Sequence, residues 1–403
     1  MEPHDLSFNH LGIAPKMLQV LERMKFVRPT PIQHSAIPIA LGGQDVVGVA
    51  QTGTGKTIAF GIPIVQGISA NGGGALVLTP TRELAIQVGE VMDTILRPFN
   101  LTRAVLIGGA PMLRQITALK NKPHVIIATP GRLIDHLQQK TCTLKHFNIL
   151  VLDEADRMLD MGFAPQVEQV LRQMPRDRQT MLFSATMPAD IVKLATRHMK
   201  LPIHIEMAPS GTAAEEVTQE LFIVTEEAKR DVVKMLASQY RGPILLFTRT
   251  KLGATRVRNA IKQMGDEHKV AEIHSDRSMG QRKEAIEGFK SGRYRILVAT
   301  DVAARGLDVT GIELVINYDL PEDIETYVHR IGRTGRAGQT GHAVTFATPG
   351  QGVDVGRIER LIRKSLPRTK STDFPAREFR VGSRSFSAGR RGRSFKTKGR
   401  GRR

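Results

Sequence analysis

The chain has 403 residues, of which 41% are hydrophobic, with a formal net charge of +19 and one cysteine, Cys142. This suits two domains plus extras and excludes a wholly disordered chain and an internal disulfide. No stretch approaches the roughly 18 apolar residues of a membrane span, and Met1–His10 lacks a signal peptide's pattern, so a cytoplasmic protein with no membrane partner is expected. The cationic excess points to a polyanion, nucleic acid first.

Taken in chain order, short apolar runs at Asp45–Ala50, Ala75–Leu78, Ala104–Ile107, His124–Ala128, Ile149–Leu152 and Met181–Phe183 predict strands. A second series follows at Ile244–Phe247, Lys269–Ile273, Arg295–Ala299, Leu314–Asn317 and Ala343–Ala347. Helical patterns such as Arg82–Leu96 and Gln281–Phe289 lie between many of them. Alternating strands and helices predict an α/β fold with mainly parallel sheets covered on both faces. The expected division is 1–207 and 219–370 for the two domains, with residues 208–218 as the linker around Pro209, Ser210 and Gly211. From 371 to 403 Arg, Gly, Ser and Lys dominate, and a disordered basic tail is expected. Residues 376–403 hold 11 basic side chains against one acid, Glu378. Phe379, Phe386 and Phe395 are spaced to stack on bases, but an unspecific electrostatic tether is the preferred reading of this segment.

Ala50, Gln51, Thr52, Gly53, Thr54, Gly55, Lys56 and Thr57 follow a predicted strand and open a helix, the setting of a P-loop. The glycines let backbone N–H groups turn toward phosphate, and the helix start adds partial positive charge. Lys56 is expected to reach the β- and γ-phosphates, and the Thr57 hydroxyl to ligate Mg²⁺. Ala50 stands where the first glycine is usual. The apolar run Ile149–Leu152 delivers Asp153, Glu154, Ala155 and Asp156, a Walker B arrangement. Asp153 is expected to hold Mg²⁺ through water, Glu154 to orient the attacking water, and Asp156 to link neighbouring loops.

Those letters, Asp-Glu-Ala-Asp, resemble the signature of the DEAD-box RNA helicases, and the similarity runs from about Phe8 to Thr348. It implies two tandem RecA-like domains and ATP, Mg²⁺ and RNA as ligands. Phe26 to Gln33 resembles the Q motif, with Gln33 reading adenine, Arg28 beside it, Phe26 suited either to stacking on the base or to core packing, and Phe8 as the upstream aromatic. Pro80, Thr81 and Arg82, then Gly108 and Gly109, then Thr129, Pro130, Gly131 and Arg132 resemble the first lobe's RNA-contacting motifs, which hold sugar–phosphate. Ser184 and Thr186 resemble the coupling motif, with hydroxyls for Asp156.

In the second lobe the resemblance implies RNA contacts at Arg249 and Thr300, a ribose contact at Asp308, and coupling at His329. Arg330, Arg333 and Arg336, three apart, suggest one exposed face, with Arg333 and Arg336 as arginine fingers on the γ-phosphate. One position departs from the family: five residues after His274 stands Met279 rather than Gln, while Arg282 is retained.

The resemblance thus implies an enzyme that hydrolyses ATP while two lobes close on RNA and open short duplexes, acting as a monomer. A bacterial RhlE-like member engaged with ribosome-assembly or RNA-degradation components is the finer expectation. The competing readings are a DNA translocase, an ATP-dependent RNA clamp or annealing chaperone, and a protein-remodelling ATPase.

Overall fold

The computed structural model describes residues 7–50, 53–206, 217–265, 269–304, 309, 311–335, 341–369 and 379. The expectations for Gln51, Thr52, Asp308 and Arg336, for all but the last two residues of the linker, and for the tail other than Phe379 lie outside these residues.

Thirteen strands form among the described residues: β1 Val46–Val49, β2 Gly74–Leu78, β3 Arg103–Leu106, β4 Val125–Ala128, β5 Phe147–Asp153, β6 Gln179–Ser184, β7 Ile203–Glu206, β8 Val217–Ile223, β9 Ile244–Thr248, β10 Val270–Ile273, β11 Ile296–Thr300, β12 Leu314–Asn317 and β13 Gly341–Ala347. They build two sheets, in the orders β3-β4-β2-β5-β6-β1-β7 and β10-β11-β9-β12-β13-β8. Every pairing is parallel. Central strands are apolar on both faces because helices cover both, and each sheet carries two apolar clusters. Gly48 in β1 has no side chain where the Phe183 ring of β6 packs; a Cβ there would overlap the ring.

Two strands escaped the sequence reading. β7 and β8 are edge strands that carry polar residues, His204 and Glu206 in β7 and Thr218, Gln219 and Glu220 in β8, so neither reads as a continuous apolar run. β8 begins at Val217, within the last two residues of the expected linker. The expected helix Arg82–Leu96 forms with those ends, and Gln281–Phe289 lies inside a helix spanning Met279–Lys290.

The amino end of β1 is tied by Asp45, which is buried. Its two carboxylate oxygens accept backbone N–H groups of Thr180, at 2.7 Å, and Lys200, at 2.6 Å, joining β1 to the starts of both neighbours. Hydrogen bonds to a charged acceptor are the strong ones, so Asp45→Ala is expected to lower the urea-unfolding stability of the first lobe by about 3 kcal/mol. Asp45→Asn should fall between, because its amide retains one acceptor.

Candidate nucleotide and nucleic-acid site

In parallel sheets the loops after the strands gather at one edge, and both sheets present their candidate residues there. The phosphate loop follows β1. Gly53 and Gly55 adopt φ of 87° and 86°, a backbone that side chains rarely tolerate. Gly55 caps the helix Lys56–Asn71 without a side-chain bond; its carbonyl takes the Ile58 and Ala59 N–H groups, which leaves those of Lys56 and Thr57 to an anion. Lys56 is buried, its Nζ donating to the Ala50 carbonyl at 2.9 Å; the Thr57 side chain is partly exposed at the same helix start.

The Q-motif segment is built onto this loop. Thr30 Oγ1 donates to the Thr54 carbonyl at 2.7 Å, and Gln33 Nε2 to the Gly55 carbonyl at 3.0 Å. Gln33 Oε1 in turn accepts the Thr30 N–H at 2.9 Å. Gln33 therefore braces the P-loop, keeping one amide hydrogen and one lone pair for a base. Phe26 is 39% exposed, so core packing is not its role, and Arg28 beside it is also exposed. Phe8 is buried in the first lobe's apolar cluster.

Asp153 ends β5, buried, and its Oδ1 takes no hydrogen bond from any described residue. Burial pushes its pKa up to about 6 despite nearby Lys56. A buried carboxylate oxygen with an open lone pair beside a phosphate cradle fits a divalent cation that keeps water and phosphate ligands. Among the described residues no group of three His, Cys, Asp or Glu side chains forms a self-sufficient metal cage.

Glu154 turns the chain from β5 into the next helix in the left-handed region, φ 52°, a strained conformation for a non-glycine residue. Its Oε2 accepts from Arg157 Nη1 at 2.7 Å, both side chains being buried. Burial alone would raise its pKa, but Arg157, Lys56 and Arg333 bring it below the ordinary value. Arg157 was missed in the sequence; its spacing of three from Glu154 on a short helix was the available signal.

Asp156 is the hub of the crevice. Its Oδ2 accepts from the backbone of Ala185 and Thr186, both at 3.0 Å, and from the Thr186 hydroxyl at 3.1 Å. The Ser184 hydroxyl accepts the Asp156 N–H at 3.2 Å. From the other lobe His329 Nε2 stands 3.9 Å from the same Oδ2.

On the opposite rim, Arg82 starts its helix just after the cap Thr81 and lays its guanidinium over Gly108 and Gly109, where any Cβ would crowd it. Arg132 Nη1 donates to the Ala110 carbonyl at 3.0 Å. Buried Gln115, also missed, bonds both the N–H and the carbonyl of Ile107 and the carbonyl of Ala110. Pro80 ends the loop after β2, while Thr129 and Pro130 are buried at the next helix start, with Gly131 exposed.

In the second lobe Thr300 ends β11 and Arg249 follows β9, its N–H held by Asp319 at 3.0 Å. The expected exposed arginine face is overturned. Arg330 is 1% exposed, forked onto Asp301 at 2.5 and 2.7 Å and bonded to Asn317 and the Asp319 carbonyl. It also lies 5.1 Å over the Phe247 ring. A guanidinium with that many fixed partners is architectural. Arg333 is likewise buried, close enough to Glu154 of the other lobe to lower its pKa.

Two further contacts join the lobes. Arg282 Nη2 lies 2.8 Å from Glu83 Oε2, both nearly buried, though neither Glu83 oxygen takes an aligned hydrogen bond from a described residue. Met279, the departure from the family, packs against the first lobe's apolar cluster. An apolar interlobe contact thus stands where the family places an amide.

The profile of the DEAD/DEAH box helicase family matches residues 30–194, and that of the helicase conserved C-terminal domain matches 227–338. The DEAD-box ATP-dependent RNA helicase CshA of Geobacillus kaustophilus is 44% identical over 367 residues, 90% of this chain and 78% of that protein. The chain belongs to the DEAD-box helicases. Dbp5 of S. cerevisiae, solved with RNA and ADP BeF3, matches with a TM-score of 0.82 at 31% identity, covering 92% of this chain and 97% of Dbp5. A DEAD box protein from the hyperthermophile Methanococcus jannaschii is 37% identical and covers 91% of this chain and 99% of its own, yet its TM-score is 0.54. As a whole chain, this DEAD-box helicase superposes better on that Dbp5 complex. The RhlE-like expectation is not supported: the bacterial relatives of this chain include CshA proteins.

Two predictions follow from these charges. Because burial raises the folded Asp153 pKa above its ordinary 3.8, its proton stabilises the fold fully below that value and the stability is lost as pH rises through about 6. Without nucleotide and metal, Asp153→Asn should unfold with about 3 kcal/mol more stability than wild type at neutral pH, the gain vanishing below about pH 4. Arg282→Ala leaves Glu83 without its cation when the lobes close, so closure should weaken by about 3 kcal/mol. That loss should appear as a higher half-saturating RNA concentration in ATPase assays, with the unfolding midpoint of each lobe little changed.

Proposed function

We propose the following division of labour for this ATP-dependent RNA helicase, which hydrolyses ATP to ADP and phosphate as its lobes close on RNA and locally unwind short duplexes. The observation that carries it is the approach of His329 in the second lobe to within 3.9 Å of Asp156 in the first, with Arg333, four residues on, buried and its charge lowering the pKa of Glu154. The N–H groups of the P-loop and Lys56 would bind the phosphates, and Phe26, Arg28 and Gln33 the adenine. Asp153 and the Thr57 hydroxyl would hold Mg²⁺, which supplies charge neutralisation on the transferring phosphoryl group. Glu154, with its lowered pKa and Arg157 clamp, is suited to orienting water more than to removing its proton outright. Arg333, with Arg336 as the second finger, would stabilise the charge that spreads during transfer.

Arg82 over Gly108 and Gly109, Thr81, Pro80, Thr129–Arg132, Arg249 and Thr300 would grip the RNA backbone with the sequence mostly unread. Asp156, with Ser184, Thr186 and His329, would relay the state of one site to the other. Since each ligand bridges both lobes, each favours closure and strengthens the other's binding. A strand gripped in a bent form cannot stay in a regular duplex, which opens short helices without translocation. The basic tail adds salt-sensitive RNA affinity. We also assign the protein to the cytoplasm, as a monomer working in ribosome assembly or RNA turnover; its subgroup within the family rests on sequence likeness alone.

Glu154→Gln tests the chemistry. ATP and RNA should still bind, and RNA-stimulated phosphate release should fall by about a thousandfold, as expected when water orientation is lost. Turnover at the wild-type rate would remove Glu154 from the mechanism, and equal stimulation by DNA would remove the RNA preference.

A further inference from the structure

The tail was read as a tether with no fixed seat, yet two points beyond the last helix are attached to the second lobe. Residues 367–369 zip onto the edge strand β8. Leu221 N–H donates to the Pro367 carbonyl at 2.8 Å, and the Thr369 N–H to the Leu221 carbonyl at 2.9 Å. The Thr369 hydroxyl reaches Glu220 at 3.1 Å. This covers the otherwise open edge of the sheet.

Ten residues further on, Phe379 returns to the lobe. It packs against the apolar cluster that holds Val355, Ile358 and Leu366. The Arg368 guanidinium lies 5.2 Å from its ring centroid. Gly352 faces the ring without a side chain, and a Cβ there would lie 3.0 Å from Phe379 Cγ. The slot is thus floored by a missing side chain, walled by aliphatic residues and roofed by a cation, which suits an aromatic ring. Gly352 starts the helix that follows β13, so the slot lies at the carboxyl edge of the sheet, the edge that also carries Arg249 and Thr300. Beyond it, residues 380–403 contain ten Lys or Arg and no acid.

We infer that Phe379 is an anchor that seats the start of the basic tail in the Gly352–Arg368 slot, so that the tail's cations leave the second lobe at the sheet edge that carries its RNA-contacting loops. The partner they serve is the phosphate backbone of RNA flanking the gripped strand; this rests on the RNA reading above. Physically the anchor shortens the leash. A tail that starts at residue 379 on the RNA-facing edge samples a smaller volume than one released from residue 369, and its effective concentration at RNA is higher.

The chain has no tryptophan, so Phe379→Trp would introduce the sole indole reporter. In the full chain its emission should be blue-shifted and protected from acrylamide, and adding Gly352→Leu, which fills the slot, should shift it red and expose it. Since an indole is larger than the natural ring, a second measurement uses unlabelled protein. Phe379→Ala and Gly352→Leu should each raise the half-saturating RNA concentration for ATPase several-fold. That value should move toward the one for a full-length chain with the arginines beyond 379 changed to Gln, with turnover at saturating RNA unchanged. Solvent-exposed emission in Phe379→Trp together with unchanged half-saturation in Phe379→Ala overturns the anchor. So does a half-saturation that moves on neutralising the tail but not on emptying the slot. Absence of any RNA stimulation in the wild type would instead strike the RNA reading, while the fluorescence still judges the docking.

Discussion

A carboxylate removed from water needs a compensating charge, and among the described residues the crevice holds four: Glu83, Asp153, Glu154 and Asp156, all nearly buried. Each is answered differently. Glu83 meets Arg282 from the opposite lobe, Glu154 is clamped by Arg157 within its own lobe, and Asp156 is bonded by the loop after β6 and approached by His329. Asp153 keeps one oxygen without a hydrogen bond among the described residues, and burial holds its pKa up. The closed arrangement is the one in which this set of acids is nearly balanced, and a divalent cation at Asp153 would complete it. In the proposed cycle that balance is what couples closure to ligand binding.

The sheets make this concentration of charge possible. Parallel strands buried on both faces supply the rigidity, and their loops all emerge at one edge, so the functional residues are short-range decorations on a stiff support. Much of the site's organisation is then bracing of the backbone by side chains. Gln33 and Thr30 hold the P-loop, Gln115 and Arg132 hold the turn at Gly108–Ala110, and Asp45 ties the strand that carries the P-loop to its neighbours.

Two arginines three residues apart show how context divides one residue type into two roles. Arg330 spends its donors on Asp301, Asn317 and the Asp319 carbonyl, and fixes the end of its helix against the sheet. Arg333 faces the other lobe and perturbs Glu154. Spacing alone placed both on one exposed face, because a pattern of cations in sequence looks like a solvated stripe until the acids that bury it are located.

The local grammar was legible from the residues in order. The glycine-rich loop between a strand and a helix, and the acidic run at the end of an apolar strand, depend only on neighbours in the chain, so composition and spacing sufficed for them. Most strands were legible because burial leaves a short apolar run, whereas the polar residues His204 and Glu206 in β7, and Thr218, Gln219 and Glu220 in β8, break that run, and these two were not. What tertiary structure alone decided was pairing at a distance: Glu83 with Arg282, Met279 against the first lobe's apolar cluster, Arg330 with Asp301, and Phe379 over Gly352. These partners are far apart in the chain, and whether a charge or a ring is buried depends on which surface folds over it, a property no single stretch of sequence contains.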